Sequence, residues 1–384
     1  MTVRCFEHAF GQSWLARRPL YANDPLQAWD AADELLLQTL QQTSPQPPAR
    51  VLVINDAFGA LAVAVPAGQR FSWSDSITAQ LALRDNLARN DQAAAVTWIP
   101  ATDAPTVPPA AVLWRIPKSI ALLQQQLARL SPLLTPGTIV LAGGMDKHLP
   151  ARLHELLAPL GSLERLPGRK KAHVYRVQVD PARAHPAEPV TAPLRVPEYD
   201  LALQGDANIF SRGQLDIGAR FFLGQFPGLP PASRIADLGC GNGVLGIVAQ
   251  RQQPAAAVAF FDDSFQAVAC AEQNYDSNIG PRSGPAPAFV VDDGLSHYEG
   301  APFDLVLCNP PFHQGHQVGD QIARQLFRQA RATLAIGGEL WVVGNRHLGY
   351  HIALRRLFGN CRTVAGNPKF VVLAARREAR VRRG

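Results

Sequence analysis

This sequence is short of cysteine, of long apolar runs and of charge, and each shortage removes a class of protein. It has five cysteines among 384 residues, at Cys5, Cys240, Cys270, Cys308 and Cys361. They are scattered, odd in number and nowhere spaced Cys-x-x-Cys. That argues against a disulfide framework and a zinc module and for reduced thiols. His313, His316, His347 and His351 have no cysteine or carboxylate partners at ligand spacing, so no metal is expected. No apolar run reaches the roughly 18 residues that a membrane helix requires, and mean hydropathy is −0.04. The opening Met1-Thr2-Val3-Arg4-Cys5-Phe6-Glu7-His8 lacks the basic-then-apolar build of a signal peptide, so a cytoplasmic location is expected. Charged residues are only 18% and hydrophobic ones 47%, a globular balance, and the length suits two domains of about 150 residues or a little more. The charge that is present is uneven. Net charge is +6 and Arg376, Arg377, Arg380, Arg382 and Arg383 crowd the end, which would attract a polyanion or form a solvated basic tail.

What is present centres on Asp237-Leu238-Gly239-Cys240-Gly241-Asn242-Gly243-Val244-Leu245-Gly246. Arg234-Ile235-Ala236 leads in as a strand, three glycines let the backbone turn, and Val244 onward continues as a helix. Such a loop can lie against a ligand and point backbone N–H groups at it. A dinucleotide loop spaces its glycines for a pyrophosphate and carries its acidic residue later. Here Asp237 ends the strand ahead of the glycines, where a carboxylate can meet a cationic ligand. The pattern resembles the first motif of class I methyltransferases that use S-adenosylmethionine. Asn309-Pro310-Pro311-Phe312, further on, resembles the catalytic motif of those that methylate an exocyclic or amide nitrogen.

The front half repeats the back half in outline. Arg50-Val51-Leu52-Val53-Ile54-Asn55-Asp56-Ala57-Phe58-Gly59-Ala60-Leu61-Ala62 lies without gaps over Arg234 to Gly246. Val53 stands where Asp237 stands, Asn55 where Gly239 stands, Ala57 where Gly241 stands, and only Gly59 survives, opposite Gly243. Asp75-Ser76 follows Asp263-Ser264 in register, Asn86 follows Asn274, and Arg115 falls at Asn309. The expected architecture is α/β, two tandem Rossmann-like class I methyltransferase domains, the N-terminal one degenerate and unable to bind S-adenosylmethionine. The expected bounds are 1–178 for that copy, which would be reused for RNA binding, 179–200 for a Pro/Ala-rich linker, and 201–384 for the catalytic domain. Arg17, Arg18, Arg165, Arg169, Lys170, Lys171 and Arg176 can touch RNA phosphates or be ordinary solvated charge.

In the catalytic half, Asn208 to Gly218 suits a loop over a ligand, with Arg212 or Asp216 meeting its charged amino-acid part. Asp216 also suits a helix N-cap. Ala257 to Phe261 is a second strand ending in Asp262-Asp263. Asp262, with Asp263 close behind, can accept both hydroxyls of a ribose. Ala288 to Val291 is a third strand ending in Asp292-Asp293, of which Asp293 is preferred for the adenine amino group. Phe303 to Cys308 is a fourth, delivering Asn309 at the sheet edge where ligands bind. A conjugated amine is a poor nucleophile because its lone pair is delocalised. The Asn309 side-chain oxygen and the Pro310 carbonyl can each accept one N–H and hold the nitrogen in line. Pro310 and Pro311 stiffen that loop, and Phe312 can stack on the base. Gln321 to Leu334 reads as a helix, Gly337-Gly338 as a turn and Glu339 to Val343 as a strand.

With Phe210-Ser211-Arg212, the glycine loop, Asn309 to His313 and the degenerate front half in place, the whole chain resembles the ribosomal RNA guanine-N2 methyltransferases that carry a duplicated N-terminal domain. One sister group acts on 16S and one on 23S rRNA. Asn345-Arg346-His347-Leu348, Phe358 to Thr363 and Asn367 to Leu373 are similar to the large-subunit group. The resemblance implies S-adenosylmethionine as cofactor, bound through Asp237, Gly239, Gly241, Gly243, Asp262, Asp293, Asn309 and Arg212. It also implies 23S rRNA, free or in an assembly intermediate, as substrate, and a monomer with neither membrane nor metal. Family members often carry amides where this chain has Asp292-Asp293. A 16S enzyme, a protein glutamine methyltransferase, a DNA adenine methyltransferase and a catalytically silent RNA-binding scaffold are the competing readings.

Overall fold

The computed structural model describes residues 2–19, 25–180, 182, 185–205, 214–280, 284–311 and 316–379, without the side chains of 316–320. The chain divides into two compact units, Met1–Val190 and Thr191–Gly384.

The first unit opens with a hairpin, β1 (Arg4–His8) and β2 (Gly11–Leu15), and α1 (Ala31–Thr43). Five parallel strands follow: β3 (Arg50–Ile54), β4 (Gln69–Ser74), β5 (Val96–Pro100), β6 (Ala111–Arg115) and β7 (Ile139–Met145). The helices α2 (Ala60–Ala64), α3 (Ile77–Arg89), α4 (Ile120–Leu130) and α5 (Leu153–Leu157) lie between elements of the sheet, and β8 (Gly161–Arg165) and β9 (Ala172–Val179) close it. The strand order is β5-β4-β3-β6-β7-β9-β8, with β9 antiparallel to both neighbours.

The second unit repeats this plan. A hairpin of β10 (Leu194–Val196) and β11 (Leu201–Leu203) precedes α6 (Ile217–Leu223). Then come β12 (Arg234–Leu238), α7 (Val244–Gln252), β13 (Ala257–Asp262), α8 (Phe265–Ile279), β14 (Ala288–Val291), β15 (Phe303–Cys308), α9 (His316–Thr333), β16 (Leu334–Asn345), α10 (Tyr350–Phe358), β17 (Arg362–Gly366) and β18 (Phe370–Arg376). The order β14-β13-β12-β15-β16-β18-β17 matches the first sheet strand for strand. Numbered within the sheet it is 3-2-1-4-5-7-6, with only the seventh strand antiparallel to its neighbours.

The central strands are apolar on both faces because both faces are covered. Along β12 and β15 successive side chains alternate between two cores. Ile235, Leu305 and Leu307 pack with α6, α7 and α8, while Ala236, Leu238, Val306 and Cys308 pack with α9 and α10. On α9, Ala323, Leu326, Phe327 and Ala330 recur at helical spacing and bury against that second core.

The duplication extends to single hydrogen bonds. Asn86 and Asn274 are fully buried and clamp equivalent backbone: Asn86 exchanges both bonds with Ala16 and donates to the Phe58 carbonyl at 2.8 Å, and Asn274 does the same with Gln204 and Asn242. Asn90 and Asn278 repeat the bond to the hairpin strand at Trp14 and Ala202. Ser76 and Ser264 cap α3 and α8.

Two expectations are corrected. Residues from Leu194 are not linker, since Val196, Leu201 and Leu203 are buried in the second core. They form the second copy of the β1–β2 hairpin, which the proline-rich composition just before it obscured. Gly337-Gly338 is not a turn between elements but a bulge inside β16, where the register with β15 slips from Phe303↔Leu334 to Leu305↔Glu339 and Gly337 takes φ 88°.

Candidate active site

The strand order reverses between β12 and β15, and ligands of open α/β sheets bind in the crevice at such a point, beyond the carboxyl ends of the strands. Leu238 pairs with Cys308 at the last position of both strands, so the glycine loop and Asn309 leave the sheet side by side. Gly239 and Gly241 have φ 75° and 55°, and a Cβ added to either meets nothing within 4 Å. The left-handed backbone calls for glycine, and the open space over it is a cradle for a ligand.

Two carboxylates hold that cradle. Asp237 is fully buried, and its Oδ2 accepts the Gly246 N–H of α7 at 2.8 Å. Its Oδ1 is buried with no partner among the described residues. Burial pushes this carboxyl up to about 8, only partly countered by the Gly246 bond. Asp262 accepts the Gly241 N–H at 2.9 Å and the Ser264 N–H at 3.0 Å, and burial raises it to about 6 against those two bonds.

The two carboxylates after β14 have different surroundings. Asp292 is buried and spends its oxygens on the backbone N–H groups of Asp293 and His297 and on the His297 ring at 2.6 Å. Asp293 is half-buried and its Oδ1 accepts from Gln325 of α9 at 2.9 Å. Sequence reasoning missed Gln325, which lies on the polar side of α9.

Asn309 is half-buried, its Oδ1 without a partner among the described residues, and its Nδ2 donates to Asp216 Oδ2 at 3.4 Å. Asp216 is also the N-cap of α6, accepting the Ala219 N–H at 2.8 Å. Pro310 is buried and Pro311 exposed. Arg212, Phe312 and His313 lie outside the described residues, as do Arg380, Arg382 and Arg383 of the basic ending. Among the described residues no group of three metal-ligating side chains occurs, and no helix is long and apolar enough to cross a membrane.

The first unit keeps the path of this site and fills it with its own side chains. Asn55 takes φ 60° where Gly239 has 75°, a conformation asparagine tolerates, and Gly59 and Gly243 both have φ 80°. With Val53 in place of Asp237, the carboxylate comes from Asp56, which accepts the N–H groups of Ala60, Leu61 and Ala62 and so uses up the start of α2. Arg115, at the position of Asn309, pairs with Asp30 at 2.8 Å and with Asp33. A fixed cation there opposes a sulfonium ligand, and no helix N–H remains for one. Several of the basic residues offered for RNA contact are also engaged within the unit: Arg18 with Asp85 at 3.1 Å, Lys170 with Glu34 at 3.0 Å and Arg176 with Glu164 at 3.5 Å.

Sheet order, glycine cradle, unpartnered buried carboxylate oxygen and the amide beside them define a class I S-adenosylmethionine-dependent methyltransferase. The family models agree: residues 200–374 match the Methyltransferase small domain and residues 4–181 the RLMG N-terminal domain. The Ribosomal RNA large subunit methyltransferase G of Pseudomonas aeruginosa PAO1 is 47% identical over 373 residues, covering 96% of this chain and 99% of that protein. The protein of the same name from Stutzerimonas stutzeri is 47% identical over 364 residues, covering 94% and 96%. The chain belongs to this ribosomal RNA large subunit methyltransferase G family. In fold it is similar to the 16S rRNA N2 methyltransferase (RsmC) of T. thermophilus, solved with AdoMet and guanosine, at TM-score 0.76 and 21% identity over 98% of both chains.

Proposed function

We propose that this chain transfers the methyl group of S-adenosylmethionine to the exocyclic N2 of a guanine in 23S rRNA, acting as a cytoplasmic monomer. The observation that carries the chemistry is the unpartnered Asn309 Oδ1 beside the open Gly239–Gly241 cradle. The names of the relatives carry the choice of large-subunit rRNA.

In this reading Asp237, Gly239, Gly241 and Gly243 hold the amino-acid end of the cofactor, Asp262 the ribose and Asp293 the adenine. Arg212 completes the set, and Asn309 borders it from the end of the neighbouring strand. Bound S-adenosylmethionine supplies an electrophilic methyl carbon on a positively charged sulfur. The chain's part is placement. Asn309 Oδ1 and the Pro310 carbonyl each accept one N–H of the amine, Pro311 stiffens the turn, and Phe312 stacks on the base. Once methylated, the nitrogen is cationic and releases its proton to water, so no side chain need act as a strong base. The first unit, with its own cleft filled, is left to contact RNA.

The test is methyl transfer from labelled cofactor to separate pools of protein-free 23S rRNA, 16S rRNA, assembled subunits and ribosomal protein, followed by nucleoside analysis. N2-methylguanosine in 23S rRNA is the expected product. Label in 16S rRNA or in protein glutamine overturns the substrate assignment, and label only in a large-subunit precursor identifies an assembly intermediate.

Asp237 gives a pH signature. Its carboxyl, raised to about 8, must lose a proton to pair with a cation, so cofactor affinity rises as pH climbs toward 8. Between pH 6 and 7.5 the dissociation constant should fall roughly 20–30-fold in calorimetric titrations, with proton release on binding. Asp237→Asn should bind about 10–100-fold more weakly at pH 7.5 and lose that dependence. A variant that binds as tightly as the parent at every pH sinks the placement of the pocket. The ligand-free protein obeys the opposite sign. A carboxyl raised above its unfolded value stabilises the fold fully below about 4 and loses that contribution as pH rises through about 8.

A further inference from the structure

We infer that Asp216 is a positioning residue for methyl transfer, its carboxylate fixing which end of the Asn309 amide faces the substrate. This rests on Asn309 being the acceptor of the target amine. An amide side chain is nearly symmetric in shape, and rotating it by half a turn exchanges an acceptor for a donor. At Asn309 the rotated form would offer N–H groups to an amine that itself needs acceptors, and the nitrogen lone pair would no longer be held toward the methyl group. Something must exclude that form. Asp216 Oδ2 lies 3.4 Å from Asn309 Nδ2, and a carboxylate can only accept, so it attracts the amide nitrogen and repels the amide oxygen. Oδ1 is thereby turned away, and it is the oxygen without a partner. Asp216 is held by the Ala219 N–H at the start of α6, so the reference point belongs to the scaffold.

The duplicated unit supplies an independent observation. Asp30 is the N-cap of α1, accepting the Ala32 N–H at 2.8 Å, and its carboxylate takes both Arg115 nitrogens at 2.9 and 2.8 Å. Helix cap and end of the fourth strand thus touch in both units, across 85 residues in one and 93 in the other. An aspartate serving only to cap its helix has no need to reach that strand. The contact outlasts the change of partner from amide to guanidinium, which fits a structural relation that the second unit uses for chemistry.

The test is a set of variants in the full chain: Asp216→Asn, Asn309→Asp, the exchanged double variant, and Asn309→Ala as reference. Each is assayed for kcat and KM on 23S rRNA, cofactor affinity and thermal midpoint. Asparagine also caps helices, so Asp216→Asn should keep the midpoint and the cofactor affinity while kcat falls about 10–100-fold, the scale of a misplaced reacting group. Asn309→Asp sets two carboxylates against each other. The exchanged pair restores a donor–acceptor contact and leaves one oxygen facing the amine, so the double variant should turn over faster than Asn309→Asp alone. Asp216→Asn within about twofold of the parent, beside an inactive Asn309→Ala, overturns the inference and leaves the catalytic reading intact. So does a fall in kcat that tracks lost midpoint and lost cofactor affinity without recovery in the exchanged pair, because capping alone would do that. Undiminished turnover in Asn309→Ala removes the catalytic reading itself.

Discussion

Asn309→Ala should bind S-adenosylmethionine nearly as the parent does and turn over about 10²–10³-fold more slowly, the scale on which removing one preorganised polar group slows other enzymes. The split follows from the positions. The cofactor cradle is built by the loop after β12 and the turn after β13, held by Asp237 and Asp262. Asn309 follows β15, and its Oδ1 makes no bond that the folded state would lose. The side chain is half-buried and its one described bond, to Asp216, is long, so truncation leaves only a small void. The fall should sit in kcat, because a ring amine becomes a competent nucleophile only where both N–H groups are accepted. Equilibrium dialysis with labelled cofactor and single-turnover kinetics on 23S rRNA separate the two quantities. Turnover within an order of magnitude of the parent would mean that another group holds the amine.

The parts of this site readable in the sequence are those carried by contiguous chain. Three glycines between a strand and a helix, and an asparagine followed by two prolines after a strand, each state their local geometry in residue types. The order of the strands then brings them together. The alignment of the two halves, ungapped over the loops, carried over to backbone angles at Asn55 and Gly239 and, four residues further offset, to the buried clamps of Asn86 and Asn274. What composition concealed lies across long separations. Asp216 reads equally as cap or ligand residue, and only the fold sets it against Asn309, 93 positions on. The hairpin at Leu194–Leu203 is three residues a strand, too short for alternation to register, and it follows a proline-rich stretch. That Asp292 is committed to His297 and its own loop was likewise not legible, although the sequence already favoured Asp293 for the ligand.

The degenerate unit was legible as a loss, since Val53 and Asn55 replace the acid and the first glycine. Its replacement network was not legible, because Asp30, Asp33, Asp56 and Arg115 come from three separate stretches. A site that has lost its ligand leaves a buried helix start and a polar crevice, and those must be filled from within. Asp56 takes over the helix N–H groups, and its negative charge calls for the cation that Arg115 supplies. The absence of a counterpart to Asp237 and the presence of this cluster thus go together in one crevice.

Arg115→Met should accordingly be among the most damaging single changes outside the catalytic unit, lowering the stability of the first unit by about 3–5 kcal/mol. Methionine matches the stem of arginine, so the loss comes from charge. It leaves Asp33 and Asp56 buried, with Asp30 beside them, and no cation to balance them. Burial already raises Asp33 to about 6 against the pull of Arg115, and without that pull the carboxyls rise further. Groups raised above their unfolded values stabilise below about pH 4 and lose that contribution as pH climbs through the folded values. The deficit of the variant should therefore be larger at pH 8 than at pH 5. Five of the six tryptophans, Trp14, Trp29, Trp73, Trp98 and Trp114, belong to the first unit, so urea unfolding followed by their fluorescence reports on it. Adding Asp33→Asn to Arg115→Met should recover part of the loss, because an amide there carries no charge to strand. An equal deficit at both pH values, or no recovery in the double variant, would mean that packing of the arginine stem, and not balance of charge, holds the filled cleft together.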